Sequence, residues 1–247
     1  MLKLYHMRPS TCSKKVRICL AEKQLEWESR EIRTDGVEEH LEPWFIEMNP
    51  NAVVPVLEHD GNFIIESCVI LEYLEDVFPD VRLRPADPVA RARMRYWLDR
   101  SESVVHRNIN VLSHNRFMTR FFGHLSLDEK LAIADRQPRI ATRTERRRRY
   151  EHGVTQEEEQ LAEAVLAECL DDMERELQQR SWLAGDEYSL ADIAVVPFFE
   201  RFEANRLDRL VDWGRRPAVG AWLGRARERR AYGEGMALDR SSQAPRR

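Results

Sequence analysis

The segment from Arg8 to Ser13 places three hydroxyls and one thiol at a predicted strand-to-helix turn. A helix N-terminus presents unpaired N–H groups and a partial positive charge, so it stabilises a nearby anion such as a thiolate. Ser10, Thr11 and Ser13 could each donate one more hydrogen bond to that thiolate. The alternative is that one of these hydroxyls only caps the helix. The turn therefore predicts a site that activates a thiol.

Cys12 offers a second chemistry within the same turn. At a helix N-terminus the pKa of its thiol should fall, which makes it a better nucleophile. The competing interpretation is a small buried hydrophobic residue. Cys19 and Cys169 lie on apolar faces of predicted helices, and we expect them in the core.

A second group of residues, from Val53 to Ser67, predicts a site for a peptide. Pro55 cannot donate to a strand ladder, and it suits a cis bond at a turn that leaves the neighbouring backbone of Val54 free to pair with a ligand. Glu66 and Ser67 start the next predicted helix. There Glu66 could hold an ammonium group, while the hydroxyl and N–H of Ser67 could hold a carboxylate.

The elements that must position these residues alternate in type over the first 80 or so positions. Period-2 patterns predict strands at Leu2–His6, Trp27–Ile32, Val53–Glu58 and Asn62–Ile65, and helical spacing predicts helices at Cys12–Glu22 and from Ser67 to Pro79. The dipeptide Asp60–Gly61 marks a hairpin. The order β-α-β, connector, β-β-α predicts an α/β thioredoxin-like domain at residues 1–82.

The remainder of the chain is helical in period. Asp87 and Pro88 form an N-cap and first-turn proline. Leu161, Val165, Cys169, Met173 and Leu177 recur every four residues, and Ser189–Asp192 resembles a capping box. We therefore expect an all-α domain at 87–238 and a disordered tail at 239–247. The charged stretch 115–155 has no clear period, and the pattern assigns it no definite elements.

Composition limits the classes of function. A net charge of −4 gives no general attraction to nucleic acid, and no apolar run suffices to span a membrane. The arginines of 143–149 could bind phosphate, but nearby acidic residues favour a solvated helical face. The four cysteines show neither a CxxC pair nor metal-ligand spacing, and no secretory signal is evident. We expect a soluble cytoplasmic protein without a metal, a nucleic-acid partner or a membrane partner.

Taken together, Asn49–Pro50, Val54–Pro55, Glu66–Ser67, Ser189–Asp192 and the chain length resemble the glutathione transferase family, to about residue 235. The resemblance implies that glutathione is the co-substrate and that the backbone of Val54, with Pro55 cis, pairs with its cysteinyl part. It implies that Glu66 and Ser67 hold the γ-glutamyl group. His40 would meet the glycine carboxylate or would be a surface histidine. Val53 stands where related chains often carry a basic residue.

Different stretches resemble different branches of that family. The run from Ser10 to Arg17 is similar to the turn of zeta-class isomerases, which implies that Ser10 activates the thiolate. Reductive dehalogenases place a working cysteine at the position of Cys12. Residues 44–88 and the charged 115–155 insert most resemble the bacterial β-etherases of lignin breakdown, in which Ser13 would be the matching hydroxyl.

The resemblance implies a transferase that attacks a lipophilic, aromatic electrophile with glutathione thiolate, by β-aryl ether cleavage or dehalogenation. The alternatives are a non-catalytic ligand-binding protein and a reductase that uses Cys12. A two-fold homodimer is expected, as is common for soluble proteins. The second domain would provide the substrate walls, at Tyr96, Arg100, His106, Arg107 and Phe199.

Overall fold

The computed structural model describes residues 1–34 and 38–240. The first half combines a four-stranded sheet with helices, in the order β1 Leu2–His6, α1 Thr11–Glu22, β2 Glu28–Glu31, α2 Pro43–Met48, β3 Val56–His59, β4 Asn62–Ile65 and α3 Ser67–Val77. This is the predicted order of a thioredoxin-like domain. The prediction of this half of the fold is confirmed.

The sheet has the strand order β2-β1-β3-β4. Strands β1 and β2 run parallel, whereas β3 is antiparallel to both β1 and β4. The predicted hairpin turns at Asp60–Gly61, where Gly61 has a φ of +81°, a conformation that favours glycine. In β1 the side chains of Leu2, Leu4 and His6 are buried in alternation, so one face of this strand belongs to the core.

All described elements of the second half are helical: α4 Pro88–Arg100, α5 Arg107–Phe122, α6 Leu127–Asp135, α7 Ile140–His152, α8 Gln156–Leu177, α9 Leu190–Val195, α10 Pro197–Ala204, α11 Asp208–Val211, α12 Pro217–Glu228 and α13 Arg230–Arg240. A π-helical turn, Ser101–His106, joins α4 directly to α5. Residues 115–155, to which the sequence assigned no elements, contain the end of α5 and all of α6 and α7. No helix in the described ranges combines the length and apolarity that a membrane span requires.

The apolar face of α8 differs from the prediction at its start. Cys169, Met173 and Leu177 are buried as expected, but Leu161 is 66% exposed. Since each residue turns the helix by about 100°, a strict four-residue repeat drifts around the axis by about 40° at each step. The buried stripe is therefore continued towards the N-terminus by Ala162 and Leu166 instead.

The last described helix, α13, packs along α1, the helix whose first turn contains Cys12. Arg17 Nε donates a 2.8 Å hydrogen bond to the carbonyl oxygen of Gly235. A Cβ atom at Gly235 would lie 2.6 Å from the side chain of Ile18, so the contact requires glycine. Helix α13 ends at Arg240, two residues into the tail predicted at 239–247. Residues 241–247 lie outside the described part.

A buried ion pair fixes the segment that connects the two halves. Lys23 Nζ lies 2.6 Å from Glu75 Oε2 and also donates to the carbonyl oxygens of Phe78 and Val81. The carboxylate of Glu75 accepts the backbone N–H of Leu83 at 3.1 Å. Helices α1 and α3 and the start of the connector are thereby held together.

Candidate active site

The hydroxyls of Ser10 and Ser13, at the start of α1, lie in different surroundings. Ser10 is the N-cap of α1, and its Oγ accepts the backbone N–H of Ser13 at 3.2 Å. Its own O–H remains able to donate, so the cap and the predicted thiolate contact are compatible. Ser13 is completely buried, and its Oγ accepts the N–H of Met7 at 3.4 Å. Of the two, Ser10 is the accessible hydroxyl.

Cys12 lies beside two residues of the π-helical turn. Its Sγ is 3.8 Å from Nδ1 of His106, 3.9 Å from Nε2 of the same ring, and 4.0 Å from Oε1 of Glu102. His106 Nδ1 is also 3.0 Å from Glu102 Oε2. Because both ring nitrogens are nearly equidistant from the sulfur, the attraction between thiolate and imidazolium is mainly Coulombic, and Glu102 orients the ring.

Lys15 belongs to the same group as Cys12, Glu102 and His106. Its side chain is fully buried, and Nζ lies 2.5 Å from Glu102 Oε1 and 3.1 Å from the Oγ of Ser101. Its ammonium group stands 4.7 Å from the centre of the Phe198 ring. With the ammonium of Lys15 and the imidazolium of His106 opposed to the Glu102 carboxylate and a Cys12 thiolate, the four charges balance.

These neighbours shift the ionisation of each group. Burial raises the pKa of Cys12, but the charges of His106 and Lys15 outweigh it, and the net shift is downward. Burial lowers the pKa of His106, but Cys12 and Glu102 outweigh it and raise that pKa to about 9. The pKa of Glu102 lies well below its usual range because the hydrogen bond from His106 and the charge of Lys15 overcome burial. The two shifts act together, because each favours the charged pair of Cys12 thiolate and His106 imidazolium.

The same carboxylate reaches the predicted peptide site. Ser67, at the first position of α3, is buried and donates its hydroxyl to Glu102 Oε1 at 2.8 Å. Glu66 is exposed, with a φ of 68°. The Val54–Pro55 bond is cis, and Val54 lies outside the strand ladder, which begins at Val56. The geometry thus brings Cys12, His106 and Ser67 around one carboxylate.

His40 is not a surface histidine. Its side chain is buried just before α2, and Nδ1 is 3.5 Å from Glu38 Oε2 without making a hydrogen bond to any described residue. Burial, together with the positive charges of Arg146 and Arg136, lowers the pKa of His40 to about 4. It is therefore neutral at pH 7.

The residues predicted to form the substrate walls lie in different surroundings. His106 belongs to the Cys12 group, and Arg107 is exposed at the start of α5. Tyr96 is 50% exposed, with the guanidinium of Arg100 5.6 Å from its ring centre; Arg100 is ion-paired with Asp172 at 2.9 Å. Phe199 was also expected at a wall. It is 2% exposed and packs in the core among three other aromatic rings, those of Phe202, Trp213 and Trp222.

Sequence reasoning missed Glu102 and Lys15. The i, i+4 spacing of Glu102 and His106 was a readable signal for an ion pair on a helix. The proximity of Glu102 and His106 to Cys12 could not be predicted, because about 90 positions separate them along the chain. In the described ranges, Cys12, Glu102 and His106 are also close enough to share a metal ion. However, the ammonium of Lys15 already occupies the Glu102 carboxylate, which disfavours a second cation there.

Comparison with known proteins gives matches along most of the chain. The family model described as glutathione S-transferase, N-terminal domain, matches residues 4–82, and that of the C-terminal domain matches residues 96–225. A protein named LigF from Sphingobium sp. is 32% identical, over 94% of this chain and 92% of its own. The maleylacetoacetate isomerase of Pseudomonas aeruginosa is 30% identical over 87% of each chain.

Solved structures agree with these matches. The crystal structure of beta-etherase LigF from Sphingobium sp. strain SYK-6 has a TM-score of 0.87 and 30% identity, covering 96% of this chain and 98% of that one. A glutathione transferase from Burkholderia graminis, with two glutathione molecules bound per subunit, has a TM-score of 0.73 and 26% identity, covering 98% of this chain and 89% of that one.

Proposed function

Since the chain belongs to the glutathione S-transferase family of enzymes, which use glutathione as co-substrate, we propose that it joins glutathione to a lipophilic, aromatic electrophile. The observation that carries this proposal is the placement of Ser10 at the start of α1, in the same half of the fold as Val54, Glu66 and Ser67. The backbone of Val54 can pair with a peptide, Glu66 can hold its ammonium group, and Ser67 can hold its carboxylate. Ser10 can donate a hydrogen bond to its thiolate.

The proposed chemistry is a displacement. The glutathione sulfur forms a bond to the electrophilic carbon while the bond from that carbon to the leaving group breaks, and the leaving group departs with the electron pair. Ser10 donates a hydrogen bond to the thiolate before attack, which lowers the thiol pKa. The likeness to LigF favours an aryl ether as substrate, with a phenolate as the leaving group.

Calorimetry is expected to show glutathione binding at millimolar concentration or below. In the same buffer, an aryl ether of a fluorescent phenol should release the phenol only when glutathione is present. Glutathione disulfide, which has no thiol, serves as the matched control. Absence of glutathione binding would refute the proposal, whereas binding without turnover on a broad panel of electrophiles would favour a ligand-binding protein.

A second candidate function is favoured by the contact of Cys12 with His106 and Glu102. In this mechanism the Cys12 thiolate attacks the glutathione sulfur of a mixed disulfide. The old S–S bond breaks, its other sulfur leaves as a thiolate, and Cys12 becomes glutathionylated. A glutathione thiolate then attacks this adduct, which yields glutathione disulfide and restores the Cys12 thiolate. Substitutions at Ser10 and Cys12 separate the two mechanisms.

We also propose a cytoplasmic two-fold homodimer. All four cysteines are free, which agrees with a reducing compartment. An isologous dimer is the commonest soluble assembly. Light scattering at micromolar concentration should give twice the chain mass of 29.1 kDa. A mass that stays at one chain across a tenfold concentration range would contradict the dimer.

A further inference from the structure

A second thiol, that of Cys68, contacts the same carboxylate oxygen as Cys12. Cys12 Sγ is 4.0 Å from Glu102 Oε1, and Cys68 Sγ is 3.7 Å from that atom. Cys12 is the second residue of α1, Cys68 is the second residue of α3, and these two helices pack against each other. Neither the proposed conjugation nor the thiol exchange at Cys12 gives Cys68 a role.

The separation of the two sulfurs is of a size that side-chain rotation can close. A cysteine side chain has three staggered rotamers, and a change from one to another moves its sulfur by about 3 Å. Both sulfurs lie within about 4 Å of one oxygen atom, so rotation of both side chains brings them towards bonding distance. Cys12 and Cys68 are also half-buried, whereas Cys19 and Cys169 are buried. The first two are therefore the thiols that a small reagent can reach.

The surroundings of the two thiols suit them to different steps. Despite burial, the charges of His106 and Lys15 lower the pKa of Cys12. Burial raises the pKa of Cys68, and the charge of Lys15, whose Nζ lies 4.0 Å from Cys68 Sγ, offsets this only in part. The thiolate is the nucleophile in disulfide exchange. Cys12 is therefore the thiol that attacks first, and Cys68 is the thiol held beside it.

We propose that Cys68 is the resolving partner of Cys12 and that the two form a reversible disulfide. The Cys12 thiolate attacks one sulfur of a small disulfide such as glutathione disulfide, whose S–S bond breaks and releases one glutathione thiolate. The Cys68 sulfur then attacks the Cys12 sulfur of this adduct. The second glutathione leaves as a thiolate and takes the proton of Cys68. Two protein thiols are oxidised, and glutathione disulfide is reduced to two glutathione molecules.

The charges around the pair favour reversal of this disulfide. Oxidation removes the negative charge of the Cys12 thiolate, so Glu102 alone faces the positive charges of Lys15 and His106. When glutathione attacks the Cys68 sulfur, the Cys12 thiolate is released into that positive field, and a stabilised thiolate is the better leaving group. The pair is therefore suited to a redox switch rather than to a permanent crosslink. It needs neither an electrophile nor Ser10, so it goes beyond the proposed conjugation.

The test is mass spectrometry of the full chain, which is first reduced, then exposed to glutathione disulfide, and finally alkylated in denaturant. The wild-type chain should carry two alkyl groups fewer than the reduced chain and no glutathionyl group, and peptide mapping should find Cys12 joined to Cys68. Cys68→Ser should instead accumulate one glutathionyl group, on Cys12. Cys12→Ser should show neither change. Cys169→Ser, which removes a buried thiol, is the matched control and should behave as the wild type.

Hydroxyethyl disulfide, which lacks the peptide groups of glutathione, separates two kinds of failure. If it joins Cys12 to Cys68 and glutathione disulfide does not, the inference is supported and the proposed use of glutathione fails. If neither reagent produces this link in the wild-type chain, or if the wild type keeps a stable glutathionyl group as Cys68→Ser does, the inference is overturned. An excess of reduced glutathione should restore both thiols, and a link that resists it would contradict the reversible switch.

Discussion

Ser10→Ala is expected to lower kcat/KM for glutathione conjugation by about tenfold to a thousandfold, as removal of one donor from a developing anion does elsewhere. Ser10 Oγ accepts the Ser13 N–H, and its O–H can still point to a thiolate. Cys12→Ala should cost little, because Cys12 is engaged with His106 and Glu102 instead. Ser103→Ala, which removes an exposed hydroxyl bonded to Asp99, is the matched control.

The opposite result would identify the cysteine mechanism. If Cys12→Ala abolishes turnover and Ser10→Ala is near neutral, Cys12 is the nucleophile. The pH dependence of Cys12 alkylation then reports its partner. The folded pKa of His106 is raised to about 9 from an ordinary 6.5, so its charge supports the thiolate at neutral pH and is lost as the pH rises through about 9. His106→Gln should therefore shift the onset of alkylation to higher pH, whereas His152→Gln should not.

Asp192→Ala is expected to reduce the free energy of unfolding by about 3–5 kcal/mol. The carboxylate is fully buried at the start of α9. It accepts hydrogen bonds from the backbone N–H of Leu183 at 3.0 Å, the N–H and hydroxyl of Ser189 at 3.0 and 3.1 Å, and the indole N–H of Trp222 at 2.8 Å. Alanine leaves these donors unmatched inside the core.

Urea unfolding of the two proteins measures this difference. Asp135→Ala is the control, because Asp135 is exposed and pairs only with Arg147 among the described residues. A surface ion pair of that kind contributes about 0–1 kcal/mol. If the two variants unfold at the same urea concentration, the buried hydrogen bonds of Asp192 do not hold α9 as we infer.

Local chemistry made much of the fold predictable. The Asp60–Gly61 hairpin, the Asp87 cap of α4 and the start of α3 at Ser67 each depend on a few neighbouring residues. The capping box of α9 does too, since Ser189 and Asp192 satisfy each other's backbone N–H groups. Such signals act over a few positions, so a single sequence contains them in full.

The rest depended on contacts that sequence spacing does not encode. Helix α7 has no buried residue in its span, so its sequence shows no apolar period. Its side chains form arginine–glutamate ion pairs instead. The position of Phe199 in the core, rather than at a wall, is decided by which face of α10 meets Trp222. The group around Cys12 could not be predicted, because Glu102 and His106 lie on the π-helical turn and no pattern in this sequence indicated that turn.

The contact between Gly235 and α1 also bears on the order of folding during synthesis. Residue 17 leaves the ribosome more than 200 positions before residue 235, the residue whose carbonyl its guanidinium binds. Until that late helix emerges, Arg17 is without this acceptor and Ile18 is without its cover. Helix α1 of the nascent chain therefore completes this packing only after Gly235 has emerged, so premature termination before Gly235 is expected to yield a chain whose first half is synthesised in full but lacks this contact.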